Sequence, residues 1–261
     1  MRPLGKKQSI KNETWVEAFA NIEDIMPQSE VDAMAEWAIA DIKEKTEGKA
    51  TAYGWSGGKD SIVLSHLCER AGIHKSLLAV CNLEYPEFMS WLEDNKPGGC
   101  EIINTGLDME WLTKRLHLLF PQDSKTAAPW FKGVQHIAQT RFFKNQNLDV
   151  LILGRRRADG NYVGSGSNVY TNNYGVTRYS PLADWRHEHV LAYIHYYKLP
   201  LPPIYGWVNG YLCGTHPWPA RQWTGSTENG WHEVYGIDPG IVRGAAEHIE
   251  SARQFLEGVA S

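Results

Sequence analysis

Between residues 49 and 206, apolar runs of strand length alternate with stretches of helical period. Residues 51–55 alternate apolar and polar positions. Residues 76–81 form a continuous apolar run, residues 101–104 a shorter one, and residues 149–154 another. Continuous runs of this kind mark strands covered on both faces. Between them, Ile62, Val63, Leu64, Leu67 and Cys68 recur at helical spacing, Pro86 opens a helix over 86–94, residues 107–120 are apolar on one side, and residues 133–146 read as a basic helix. Residues 121–132 read as a loop. The alternation predicts an α/β fold, a doubly wound and mostly parallel sheet with helices on both faces.

The flanks differ from this core. Residues 1–12 are polar and basic, the pattern of a loosely held arm. Trp15, Phe19 and Ile22 then recur at helical spacing. A second helix is expected from Ser29 as N-cap, with Val31, Met34, Ala35, Trp37, Ala38 and Ile42 as its stripe and Gly48 as its stop. The pattern therefore divides into an N-terminal arm with a helical extension (1–48), a nucleotide-binding α/β domain (49–206), and an aromatic-rich C-terminal segment with a closing helix (207–261). In that last segment Trp207, Trp218, Trp223 and Trp231 stand among prolines and glycines, either as a loop-rich core or as stacking surfaces.

Composition narrows the class. A hydrophobic content of 43% and a charged content of 21% describe an ordinary globular chain, and a net charge of −4 argues against broad nucleic-acid binding while leaving a local basic site open. No run approaches the roughly 18 apolar residues of a membrane span, and residues 1–7 lack the apolar core of a signal peptide, so a cytoplasmic protein with no membrane contact is expected. The four cysteines, Cys68, Cys81, Cys100 and Cys213, are isolated from one another. Their spacing suits neither structural zinc nor an iron–sulfur cluster.

The candidate chemistry begins where the first strand ends. Ser56, Gly57, Gly58, Lys59, Asp60 and Ser61 join that strand to a helix, so that a helix N-terminus and several backbone N–H groups face one spot, as an anionic phosphate requires. Gly57 and Gly58 permit close approach of a ligand to the backbone. Ser56 and Ser61 add hydroxyls, Lys59 a point charge, and Asp60 a carboxylate able to hold Mg²⁺. The spacing is not that of a Walker A loop. A second group follows the strand over 149–154: Gly154, Arg155, Arg156 and Arg157 offer forked, charge-assisted contacts to phosphate or sulfate. Residues 164–173, rich in Gly, Ser and Asn, read as a mobile lid or a solvent loop. Asp184 is the expected N-cap of the next helix, with His187 and Glu188 in its first turn.

The loop resembles the S-G-G-K-D-S pyrophosphate loop of the PP-loop superfamily, which holds ATP pyrophosphatases and the phosphoadenosine phosphosulfate (PAPS) reductase family. Further motifs narrow the resemblance to the latter. Glu84-Tyr85-Pro86-Glu87 looks like that family's D-T-G-x-E-F-P-E-T, and residues 154–157 look like its G-L-R-R-x-x-S. The run Pro181-Leu182-Ala183-Asp184-Trp185 matches its P-L-A-D-W, while Gly210-Tyr211-Leu212-Cys213 is similar to its G-Y-x-S-I-G-C. The resemblance covers residues 50–215. It implies binding of ATP or PAPS by the loop, by Glu84 and by Gly154 to Arg157, with Lys59, Asp60, Arg156 and Arg157 as catalytic groups and Asp60 holding Mg²⁺.

The departures from the family pattern bear on the reaction. Val80-Cys81-Asn82 stands where D-T-G begins, Gly160 where a serine ends the arginine motif, and no cysteine follows Cys213, so the reductases' C-terminal E-C-G-L-H has no counterpart. Three readings follow. The first is ATP cleavage between the α- and β-phosphates, with adenylyl transfer to an acceptor and release of pyrophosphate. The second is reduction or binding of a sulfonucleotide. The third is a non-catalytic nucleotide-binding regulator, or an accessory subunit of a DNA-modification or sulfur-transfer system. Partners beyond the nucleotide and an acceptor, whether a homo-oligomer, an accessory protein or a nucleic acid, stay open.

Overall fold

The computed structural model describes Leu4 and residues 10–259. Residues 1–3 and 5–9, most of the expected basic arm, lie outside the described residues, as do 260 and 261. One sheet has six strands: β1 (Thr51–Gly54), β2 (Lys75–Val80), β3 (Gly99–Asn104), β4 (Val150–Ile152), β5 (Val169–Thr171) and β6 (Thr177–Tyr179). Their order is β3-β2-β1-β4-β6-β5. β1 runs parallel to β2 and to β4, β4 runs parallel to β6, and β5 is antiparallel to β6. The chain thus winds outward from β1 through β2 to β3, then returns to the other side of β1 as β4. That reversal makes the β1–β4 junction the topological switch point, beyond whose C-terminal ends open α/β sheets hold their ligands. The expected doubly wound α/β class is what the chain adopts.

The chain divides into two compact units. The first comprises Met1–Leu78, Asn95–Ile102 and Gln139–Pro202. In it, helices Asn12–Ala20, Gln28–Thr46, Lys59–Arg70 and His187–Tyr196 pack together, and bury Trp15, Ala35, Ala38, Leu64 and Tyr193. The stripe of Gln28–Thr46 is Val31, Ala35, Ala38, Ile39 and Ile42. Trp37, expected on that stripe, is 60% exposed, because it stands one position short of Ala38 and 3.6-residue periodicity turns it outward. The helix starts after Pro27, without a side-chain cap from Ser29.

The second unit comprises Ala79–Asp94, Ile103–Ala138 and Pro203–Ser261. Its core is aromatic: the Trp231 ring lies 4.9 Å from Phe120 and 5.7 Å from Trp218. Helices Thr227–Ile237, Pro239–Ala246 and Glu250–Val259 close it, three helices where one was expected. Trp218 and Trp231 are therefore core residues, whereas Trp223 is 47% exposed.

Four local expectations are corrected. Residues 124–131 are helical rather than loop: the Asp123 side chain accepts from the N–H groups of Lys125 and Thr126 at 2.8 Å each and caps the helix, a signal masked by the adjacent Pro121. That helix runs through a π-turn over Lys132–His136 into Ile137–Gln146. The helix expected over 107–120 breaks into Met109–Thr113 and a 3₁₀ turn. The segment read as a lid is partly strand, since β5 pairs with β6 at the sheet edge. Finally, Asp184 does not cap His187–Tyr196. Arg186 is the N-cap there, and Asp184 pairs with Arg157.

A candidate nucleotide site at the switch point

Within the first unit, β1 ends in the turn that the sequence singles out. Gly57 has φ +68°, a left-handed conformation that favours glycine. Gly58, at φ −79°, is the N-cap of Lys59–Arg70, and no side chain caps that helix. The turn thus sits at the positive end of the helix dipole. The two serines brace the turn from within. The Ser56 N–H donates to Ser61 Oγ at 3.0 Å, and the Ser61 hydroxyl donates to the Gly58 carbonyl at 2.9 Å. Gly154, at the end of β4, lies so close that a Cβ there would stand 3.2 Å from the Asp60 carbonyl oxygen. Glycine at this position lets β4 abut the turn.

The charged residues form a chain rather than a row of free cations. Lys59 is 2% exposed. Its Nζ lies 2.7 Å from Asp60 Oδ2 and 5.4 Å from the Trp15 ring. Asp60 Oδ1 lies 2.6 Å from Nε of Arg156, whose Nη2 is 2.9 Å from Asp159 Oδ2 and 3.1 Å from His187 Nδ1. Arg156 Nη1 donates to the Trp185 carbonyl at 3.1 Å. Arg156 is wholly buried, its fork taken up by the protein itself.

The neighbouring arginines face elsewhere. Arg155 Nη1 donates to the Tyr170 hydroxyl at 2.8 Å, and Arg157, 44% exposed, pairs with Asp184 and donates to Asn168 Oδ1 at 2.8 Å. The three consecutive arginines that the sequence offered as one anion grip thus have three different surroundings. Asp159, His187, Trp15 and Trp185, which complete the buried chain, were not among the candidates. Asp159 alone had a visible signal, standing three residues after Arg156, whereas the others arrive from remote segments.

Asp60 was also the candidate Mg²⁺ ligand. Each of its oxygens already faces a cation within 2.7 Å, and a carboxylate offset by two cations is a poor ligand for a third. No cluster of three His, Cys, Asp or Glu able to hold a metal occurs among the described residues. The residues present do not fit a protein-held Mg²⁺ at this position.

Glu84 belongs to the second unit. There its Oε1 accepts from the Cys81 N–H at 3.1 Å. Desolvation pushes its carboxyl up from the ordinary 4.5 to about 7, against the opposing pull of the Cys81 hydrogen bonds. Cys213, also in this unit, is 3% exposed, with its thiol 3.7 Å from the Gln222 carbonyl. Burial raises the thiols of Cys68 and Cys81.

A family model for the phosphoadenosine phosphosulfate reductase domain matches residues 50–211, well over half of the chain. The chain belongs to this family. The matched span holds the loop, Glu84 and all three arginines. Among solved structures, the chain is similar to a PAPS reductase from Candida auris in a phosphate complex, at 15% identity, 75% of this chain and 91% of that one, with a TM-score of 0.48. It is likewise similar to an NH3-dependent NAD synthetase from Campylobacter jejuni in complex with nitrate, at 12% identity, 86% and 96% coverage, and a TM-score of 0.46. No curated protein matches the chain. No helix among the described residues is long and apolar enough to cross a membrane.

Proposed function

We propose that this member of the family binds ATP with its phosphates on the turn over residues 56–61 and transfers the adenylyl group to an acceptor. The observation that carries the reading is the uncapped helix N-terminus behind Gly57 and Gly58 at the sheet's switch point. In this reaction an acceptor oxygen or nitrogen attacks the α-phosphorus, the bond from that phosphorus to the bridging oxygen breaks, and pyrophosphate leaves with the electron pair. The acceptor's proton passes to solvent. Charge building on the leaving group is offset by the helix N–H groups and by Lys59, which the Asp60–Arg156 pair orients. Arg157, the exposed arginine, would have to exchange its Asp184 pair for an anion.

The family name supports a second reading, reduction of a sulfonucleotide. Against it stands the burial of Cys213, since thiol attack needs an accessible thiolate. The test incubates the protein with α-labelled ATP and Mg²⁺, with and without candidate acceptors. Labelled AMP or an adenylylated acceptor, formed in step with pyrophosphate, is the expected result. Label appearing only in ADP would overturn the reading.

A further inference from the structure

The hairpin of β5 and β6 gathers aromatic rings and cations along the edge of the sheet. The Tyr170 ring lies 5.1 Å from that of Tyr162, accepts through its hydroxyl from Arg155, and stands opposite Arg178 in the β5–β6 register. Arg178 is buried and donates to buried Gln139 at 2.5 Å, so it underlies the strip rather than facing out from it. Helix Ile137–Gln146, which carries Gln139, continues the strip: its Phe143 ring is 5.4 Å from Tyr174, and Lys144 Nζ sits 4.7 Å from the centre of the same Tyr174 ring. Arg141 precedes Lys144 by three residues and shares its helix face. Tyr162 and Tyr174 are 64% and 59% exposed, and the residues that link them, Arg178, Gln139 and Phe143, lie buried beneath.

The charge along this stretch opposes that of the whole chain. Residues 139–180 hold six Lys or Arg and two Asp, whereas the chain carries 26 basic against 30 acidic residues. Asp159 is engaged with buried Arg156, and Asp149 accepts from the Ala50 N–H. Arg156 and Arg157 are paired with Asp60 and Asp184 and Arg178 is buried, so the basic excess of the strip itself rests on Arg141, Lys144 and Arg155. The approach to the strip is fixed as well. At Gly164, φ is +92° and a Cβ would fall 2.3 Å from the Val169 carbonyl oxygen, so the segment bearing Tyr162 is pressed onto β5.

We propose that this strip binds a single-stranded nucleic acid. Exposed tyrosines interleaved with Arg and Lys let bases stack while phosphates meet the cations. A duplex hides its base faces from such rings, and an acidic peptide would use the cations and leave the rings wet. The surface stands whether or not the loop cleaves ATP, because its tyrosines lie on β5, on the segment before it and on the turn after it, outside residues 56–61.

Fluorescence anisotropy with the full chain tests it, using a labelled single strand of roughly 12 nucleotides, as RNA and as DNA, a duplex of equal length, and inorganic polyphosphate as competitor. The single strand should bind more tightly than the duplex, with log K falling against log salt by about 0.7 for each phosphate neutralised. Tyr162→Ala and Tyr174→Ala should each weaken binding about fivefold or more, Lys144→Ala should flatten the salt dependence, and Trp223→Ala should leave binding unchanged. Circular dichroism of each variant checks that the fold is kept. Equal affinity for duplex, competition by polyphosphate as good as by oligonucleotide, indifference to both tyrosine changes, or no binding at low salt would each overturn the proposal.

Discussion

The Nε of Arg156 lies 2.6 Å from Oδ1 of Asp60, so the buried end of β4 holds the first turn of the helix behind the glycine loop. Removing this guanidinium would strand part-buried Asp159 and leave Asp60 with Lys59 alone. Arg156→Ala should therefore cost about 3–5 kcal/mol of stability, read from urea unfolding, with Arg156→Lys falling in between. Arg157→Ala breaks a pair whose partner Asp184 is 72% exposed and should cost less than about 1 kcal/mol. Equal costs at the two positions would mean that the buried chain does not support the loop.

Gly57 and Gly58 separate backbone strain from ligand approach. Gly57→Ala forces a side chain into a left-handed conformation at roughly 1–2 kcal/mol, so both stability and nucleotide affinity should fall. Gly58 has φ −79°, which any residue adopts. Gly58→Val should leave the melting temperature nearly unchanged and abolish nucleotide binding by calorimetry. Full retention of binding in Gly58→Val would place the phosphates elsewhere.

Glu84 links stability to pH. Its carboxyl is pushed up to about 7 from an ordinary 4.5, so between those values the folded chain holds a proton that the unfolded chain releases. Its contribution is present in full below about 4.5 and declines as pH rises through 7. Glu84→Gln, which keeps a neutral side chain, should gain stability relative to the parent between pH 5 and pH 8. A stability difference that stays flat over that range would refute the shift.

In the second unit, a Cβ on Gly230 would lie 2.3 Å from the Phe120 ring. Gly230→Ala should destabilise by about 1–3 kcal/mol through overpacking, with the loss seen in near-ultraviolet circular dichroism because Phe120 also packs edge-on to Trp231.

No thioredoxin-dependent sulfite release from PAPS is expected, since Cys213 is buried and burial holds the thiols of Cys68 and Cys81 protonated. Sulfite formed by the parent protein and lost in Cys213→Ser would favour the reductase.

Local pattern sufficed for β1 to β4 and for the glycine turn, but not for β5 and β6. Strand runs such as residues 149–154 are apolar throughout because both faces are covered, and the strand–glycine–helix succession at residues 51–64 is written in adjacent positions. What adjacent positions do not carry is the direction a side chain takes once its partners arrive. Arg155, Arg156 and Arg157 are chemically identical in the sequence. Only the assembled unit turns Arg156 inward, because Asp60, Asp159, the Trp185 carbonyl and His187 converge there from three separate places in the chain. β5 is a different case: Val169, Tyr170 and Thr171 favour strands, but they stand among Gly, Ser and Asn, and their place at the sheet edge is set by pairing with β6. Burial of a charge is decided by its partners in space, and those are set by tertiary contacts that no local spacing encodes.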